Sequence, residues 1–208
     1  LFETTIGIAD SKGLTAYTVG LLPKTGTIVG GGSAFSGMSQ VAFYGDKLYV
    51  FTPGGIHHMR LSDQKTVLNT IAASTEWGVI ADMAAFGGNL YLLDTAKSRI
   101  WKYVATEKGF SQLFEYLNPD TLPDLTKTTN MAIDGSVWLG TTTGNILRFT
   151  AGKENSFSPQ GTDTPLGKML MVATDAETKM LYVLDRDNNR IVVFDKDGLY
   201  MAQYVWGN

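Results

Sequence analysis

A short apolar run that closes on aspartate or threonine recurs five times in this chain, and its spacing limits the fold more than any other feature. The copies are Ile6-Gly7-Ile8-Ala9-Asp10, Leu48-Tyr49-Val50-Phe51-Thr52, Leu90-Tyr91-Leu92-Leu93-Asp94, Val137-Trp138-Leu139-Gly140-Thr141 and Leu181-Tyr182-Val183-Leu184-Asp185. Their last residues stand 42, 42, 47 and 44 positions apart. After a polar turn each run is followed by a second strand. That strand opens on an aliphatic residue and carries an aromatic residue or methionine three positions on: Leu14 and Tyr17, Ile56 and Met59, Ile100 and Tyr103, Ile146 and Phe149, Ile191 and Phe194. Two apolar runs joined by a short polar loop form a β-hairpin.

A third strand precedes the last four hairpins, marked by an apolar residue followed by alanine: Val41-Ala42, Met83-Ala84, Met131-Ala132 and Val172-Ala173. Small residues suit an innermost strand, where neighbouring units crowd together. The first repeat lacks this strand, because the interval from Ala42 to Thr52 counted back from Asp10 falls before Leu1. Weaker outer strands are expected at residues 25–29, 66–68, 113–117, 156–158 and 200–206. The unit is thus four antiparallel strands, and a period of about 40–45 residues built from several short strands indicates propeller blades. We expect an all-β fold, a β-propeller of four-stranded antiparallel blades with about five repeats of 42–47 residues, the first lacking its inner strand. A single domain spans residues 1–208, with repeats near 1–35, 36–77, 78–124, 125–166 and 167–208. The central strands read as continuous apolar runs, as sheets covered on both faces do.

Composition narrows the function classes. A net charge of −3 argues against general nucleic-acid binding, which needs a basic face. Absence of cysteine removes disulfides, thiolate metal sites and a cysteine nucleophile. No apolar run is long enough to span a membrane as a helix. The sequence begins at Leu1 with no signal-peptide pattern, so we expect it to be cut from a longer protein.

The stretch Leu184-Asp185-Arg186-Asp187-Asn188-Asn189-Arg190-Ile191-Val192-Val193-Phe194-Asp195-Lys196-Asp197-Gly198 resembles the NHL-type repeat. That repeat runs as Asp, polar residues, Asn, Arg-Ile-x-x-Phe and an acidic-Gly turn. The third repeat matches through Asp94, Arg99, Ile100 and Tyr103, and the fourth through Ile146, Phe149 and Gly152, with Thr141 in place of Asp. The first two match in spacing alone. The wider group of NHL, YncE-like and TolB-like propellers implies a rigid scaffold that binds proteins, peptides, glycans or nucleic acids on one face, and less often an enzyme. Such propellers also occur as extracytoplasmic C-terminal parts of large bacterial proteins, and an extracytoplasmic location is the one the resemblance favours.

Repeat phase places the loops between blades on the same side as the turn of each central hairpin. These are residues 30–36, 74–78, 118–127 and 160–165 together with 52–55, 95–98, 142–144 and 186–189. Loops on a rigid scaffold are the usual home of binding residues. Within them Trp77 beside Glu76 could stack on a sugar or anchor a peptide, or equally plug the channel mouth or the blade interface. Phe35 is a similar case, and Asp120 and Asp124 bring negative charge to the longest loop. Gly30-Gly31-Gly32-Ser33 lacks the lysine and following helix of a phosphate cradle.

His57-His58 are the only histidines, and neighbours on a strand point to opposite faces, so ordinary strand positions are expected and no metal site is assigned. Asp10, Asp94 and Asp185 recur at the hairpin turn. A ring of carboxylates there would suit calcium, but the turn-capping role of aspartate is the reading adopted, so no cofactor is expected. Arg99 and Arg190 are expected to pair with the turn acids.

No catalytic residue is identified. The expected function is a non-catalytic interaction module whose loop face binds a protein, peptide or glycan, as a monomer or a strand-completing dimer. An architectural unit that assembles through the incomplete blade is one alternative. A propeller hydrolase, lactonase or lyase with a metal at the channel mouth is the other.

Overall fold

The computed structural model describes residues 4–10, 13–19, 27–28, 35–63 and 65–207, the first three spans as backbone alone. The residues divide into two compact parts, Leu1–Thr75 and Glu76–Asn208.

In the first part, β1 (Thr4–Asp10), β2 (Gly13–Val19) and β3 (Thr27–Ile28) form a three-stranded antiparallel sheet in sequence order. This is the shortened first repeat read from the sequence. β4 (Gln40–Tyr44), β5 (Lys47–Thr52), β6 (Gly55–Arg60) and β7 (Thr66–Ala72) form a four-stranded meander. Leu48 and Val50 on β5 and Met59 on β6 alternate onto one face, where they pack with Phe35. Of the loop expected at residues 30–36, residues 30–34 lie outside the described residues.

The second part holds three more four-stranded meanders. The first contains β8 (Ile80–Phe86), β9 (Asn89–Asp94), β10 (Arg99–Tyr103) and β13 (Phe114–Glu115). Between its last two strands a small hairpin intervenes, β11 (Ala105–Thr106) with β12 (Gly109–Phe110), which the repeat pattern did not announce. The next sheet contains β14 (Thr128–Ile133), β15 (Ser136–Thr141), β16 (Ile146–Thr150) and β17 (Lys153–Asn155), and the last β18 (Leu170–Ala173), β19 (Met180–Asp185), β20 (Arg190–Asp195) and β21 (Tyr200–Val205).

One outer strand was misplaced by the sequence reading. It was expected at residues 156–158 but forms at Lys153–Asn155, because Ala151 and Gly152 both take positive φ, 49° and 78°. That is the geometry of a two-residue hairpin turn, and it returns the chain directly into register with Thr150 opposite Lys153.

Antiparallel register aligns side chains in rows across each sheet. In the sheet of β8–β10 and β13 the rows are Asp82, Leu93, Ile100 and Ala84, Tyr91, Lys102, Phe114. The sheet of β14–β17 has Asn130, Gly140, Ile146 and Ala132, Trp138, Arg148, Asn155 at the same places. The sheet of β18–β21 has Met171, Leu184, Ile191, Tyr204 and Ala173, Tyr182, Val193, Ala202.

These rows decide how the three sheets stack. Tyr91, Leu93 and Ile100 pack on Met131, Ile133, Val137, Leu139 and Phe149 of the next sheet. Trp138 and Ile146, on the other face of that sheet, pack on Leu170, Val172, Leu181, Val183, Val192 and Phe194. Both faces of β15 are therefore covered, and all six of its residues are buried. The apolar run Val137-Trp138-Leu139 follows from that burial.

Polar ties join the inner strands. The Asp82 carboxylate accepts the Met131 N–H at 2.7 Å. The Asn130 amide donates to the Val172 carbonyl at 2.7 Å and accepts the Val172 N–H at 2.8 Å. The Thr129 hydroxyl donates to the Leu170 carbonyl, which reaches so close to Gly140 that a Cβ there would overlap it. Asp82 and Asn130 both stand where the register shifts by a bulge, which turns the side chain toward the neighbouring sheet.

Candidate functional site

Each central hairpin of residues 76–208 ends on a buried residue that binds its own turn. Asp94 is fully buried and accepts the Lys97 N–H at 3.1 Å, the Gly78 N–H at 2.7 Å and the Trp101 indole N–H at 2.9 Å. Asp185, also fully buried, accepts from Gly167 N–H at 3.2 Å, the Asn188 amide at 2.7 Å and Arg190 Nε at 2.9 Å. Thr141 does the same work with one hydroxyl, donating to the Asn145 carbonyl at 2.7 Å and accepting its N–H at 3.0 Å. Ser98 and Asn189, four residues after each aspartate, take φ of 52° and 49° and close equivalent turns.

These nodes serve more than their own turns. Gly78 and Gly167 belong to the preceding loops, and no side chain would fit there: a Cβ at Gly78 would lie 2.6 Å from Asp94 Oδ1, and one at Gly167 would lie 2.8 Å from Asp185 Oδ1. Further ties run from loop to turn. Lys97 Nζ donates to the Glu76 carbonyl at 2.7 Å, Thr142 N–H to the Lys127 carbonyl at 2.8 Å, and Asn188 Nδ2 to the Pro165 carbonyl at 3.2 Å. Residues 76–78, 94–98, 125–127, 141–145, 164–168 and 185–190 are thus linked on one side of the three sheets.

The arginines divide. Arg190 pairs with the turn acid as expected, its Nη2 also donating to the Thr164 and Pro165 carbonyls at 2.8 and 3.0 Å. Arg99 does not. Its Nε meets Glu115 at 2.6 Å, because the Trp101 indole already fills the place beside Asp94. Burial raises the Glu115 carboxyl above the ordinary range, with Arg99 opposing that shift.

The residues singled out in the sequence do not converge. Phe35 is 2% exposed, in the core with Leu48, Val50 and Met59, so it offers no surface to a ligand. Its apolar ring finds better company inside than in a glycine-rich loop. Trp77 is half-buried, donating from Nε1 to the Tyr103 hydroxyl at 3.1 Å with the rings edge to face at 6.4 Å. That bond ties the loop of residues 74–78 to β10 of the sheet that follows it. Glu76 is exposed beside it.

Asp120 is exposed on a single 3-10 turn, Pro119–Thr121, capped by Asn118. Asp124 is exposed and accepts from the Thr126 N–H and hydroxyl at 2.9 and 2.7 Å, bonds that hold its carboxyl below the ordinary range. Buried Leu125 anchors the loop, and its N–H donates to the Ser98 hydroxyl at 3.0 Å.

The histidines occupy strand positions. His57 is buried, its Nδ1 accepting the Asn69 N–H at 2.8 Å and its Nε2 facing the Thr52 hydroxyl at 2.9 Å. His58 lies 2.7 Å from the Thr70 hydroxyl through Nδ1. Burial lowers the pKa of both rings. Among the described residues no three His, Asp or Glu groups gather as a metal site would require. The side chain of Asp10 lies outside the described residues.

A depression of about 400 Å³ lies along the loop of residues 159–166, beside Gly144 of the β15–β16 turn. It is lined by Gly144, Pro159, Gln160, Gly161, Thr162, Pro165 and Leu166. The lining has hydroxyl, amide and main-chain groups with proline and leucine walls, and no charged side chain. Main-chain bonds fix one rim, since Gln160 N–H donates to the Gly198 carbonyl at 2.8 Å and the Gln160 carbonyl accepts the Tyr200 N–H at 2.9 Å. The sequence reading named this loop but none of its residues, because uncharged polar residues between prolines read as plain turn chemistry.

No protein-family model matches the chain, and no curated protein matches it in sequence. Solved structures do resemble it. A structure of the nidogen/laminin complex aligns over 98% of this chain and 76% of its own, with a TM-score of 0.68 at 11% identity. A streptogramin B lyase aligns over 83% of this chain and 56% of its own, with a TM-score of 0.55 at 17% identity. The virginiamycin B lyase of Staphylococcus aureus aligns over 82% and 70%, with a TM-score of 0.54 at 14% identity. The chain spans just over half the length of the streptogramin B lyase chain. At such identities the likeness concerns architecture alone, and with the meandering four-stranded sheets it makes this an all-β protein of the β-propeller fold.

Proposed function

We propose that the chain is a non-catalytic recognition module of the NHL-like kind, binding a protein, peptide or glycan at the loop side of residues 76–208. The observation that carries this reading is the uncharged depression at Gly144, Gln160, Thr162 and Leu166, held by loops tied to buried turn nodes. Loops fixed in advance lose little freedom on binding, which favours recognition. Absence of a charged lining favours a neutral ligand surface, such as a sugar ring or an uncharged peptide segment. Likeness to the nidogen/laminin complex supports protein binding as a use of this fold. The lyases share the fold, but His57 and His58 already have strand partners, so no catalytic role and no cofactor are assigned.

The test is a glycan array and a displayed peptide library, each probed with the intact chain. Binders should lose at least tenfold in affinity with Thr162→Arg or Leu166→Arg and keep it with Lys179→Glu. Binders indifferent to both loop changes would sink the reading.

A further inference from the structure

The outer strands of residues 76–208 differ in the edge they present. β13 and β17 are two and three residues long and carry charge, Glu115 on one, Lys153 and Glu154 on the other. β21 is six residues long, with no charged residue, proline or glycine. Shortness and charge are the usual protection of a sheet edge against strand pairing, and β21 has neither. Met201, Tyr204 and Val205 on it are 49%, 63% and 66% exposed.

The register shows which main-chain groups face outward. Trp206 N–H donates to the Asn189 carbonyl at 3.0 Å, and two and four residues earlier Tyr204 stands opposite Ile191 and Ala202 opposite Val193. Those residues bond inward to β20, so alternation turns the N–H and C=O groups of Gln203 and Val205 away from it. Among the described residues nothing bonds them.

One residue already sits on the start of this edge as a strand would. Gln160 bridges Leu199 in parallel, its N–H donating to the Gly198 carbonyl and its carbonyl accepting the Tyr200 N–H. Gly161 then takes a φ of 87° and leads the chain away, passing so close that a Cβ there would stand 3.3 Å from the Tyr200 Cβ. A fifth strand is thus begun at Gln160 and left open from Met201 onward. A two-fold pairing of β21 with its mate along its whole length would set the mate's Val205 beside Tyr200, where Gln160 stands. Exposed Tyr204 and Val205 suit β-branched and aromatic cross-strand neighbours. We infer that β21 is a strand-addition site: an extended, uncharged segment of a partner protein continues the line of Gln160, parallel to β21, and bonds the outward groups of Gln203 and Val205. Its bonds are made to β21 and not in the depression, so it does not rest on the function proposed above.

The test is NMR amide exchange with an acetylated, amidated heptapeptide of alternating threonine and valine, set against its twin with every amide N-methylated. In the free chain, shown to be a monomer by light scattering, the amides of Gln203 and Val205 should exchange quickly and those of Ala202 and Tyr204 slowly. The plain peptide in millimolar excess should slow Gln203 and Val205 at least tenfold and shift the resonances of residues 201–206. The methylated twin should do neither. Val205→Pro removes an N–H that the ladder does not use, so it should weaken peptide binding about tenfold and leave the melting temperature unchanged.

Four outcomes overturn the inference. Protected Gln203 and Val205 amides in the free monomer would give the edge to another part of this chain. Protection that appears with dimerisation would give it to a second copy. Equal binding of the methylated twin would show adhesion without strand pairing, and no slowing of the two amides by the plain peptide would show no site. If Val205→Pro does not fold, the methylated twin decides.

Discussion

Arg190 offers the sharpest perturbation, because one side chain joins a hairpin turn, an outer strand and the loop that walls the depression. It is 4% exposed and donates to Asp185, to Gln203 Oε1 at 3.0 Å and to two loop carbonyls. Arg190→Met keeps the aliphatic stem and removes the fork. Asp185 would retain Gly167 N–H and Asn188 Nδ2 but lose its counter-charge while still buried. Breaking a buried pair from one side costs about 3–5 kcal/mol. The freed Thr164 and Pro165 carbonyls belong to exposed residues that water can reach, which puts the loss near the lower end.

For a domain of this size about 3 kcal/mol corresponds to roughly 6–12 °C in melting temperature. Calorimetry reads that shift. Hydrogen exchange should show faster opening at the amides of residues 166–168, while those of β14–β16 keep their protection relative to global unfolding. A cost below about 1 kcal/mol, or no selective change at residues 166–168, would refute the view that this arginine positions the loop.

Three further outcomes can be checked. Asp82 is raised to about 6 by burial, against the pull of the Met83 and Met131 N–H donors, so its contribution is full below its ordinary value of 3.8 and is lost as pH rises through about 6. Asp82→Asn should place an amide as Asn130 does, stabilise the protein at pH 7 by about 1–3 kcal/mol and add nothing at pH 4, as read by urea titration. His57 is lowered by burial below its ordinary 6.5, so its contribution is full above that value and declines as pH falls through the folded value; His57→Gln should remove this acid slope between pH 7.5 and 5. Gly78→Ala would press a methyl against Asp94 and dislodge it from Trp101, costing about 2–3 kcal/mol and shifting the indole fluorescence; an unchanged spectrum would contradict the node.

The strand order was legible because blade stacking writes itself into composition: β5, β9, β15 and β19 each lie between two other strands and read as apolar runs. What could not be read depends on geometry that residue types leave free. Ala151 in a left-handed conformation moved an outer strand by three residues, and alanine gives no sign of that φ. Trp101 replacing arginine beside Asp94 required knowing that an indole N–H reaches the same point, so Arg99 was given the wrong acid. Phe35 was misjudged because loop membership says nothing about side-chain burial. The depression escaped notice for a related reason: its groups are ordinary, and only their placement makes a site.

The ties between inner strands have an evolutionary reading. Each runs from one sheet to the next and none reaches further, so cohesion is a nearest-neighbour property, as in a stack of coins. Residues 119–124 are bracketed by buried Leu117 and Leu125, and the Asn118 N–H holds the Gly152 carbonyl at 2.9 Å. Everything between those anchors can be exchanged for another segment while the stack stays intact. Residues 119–124 are therefore a natural cassette, where foreign loops can be grafted and new specificities selected.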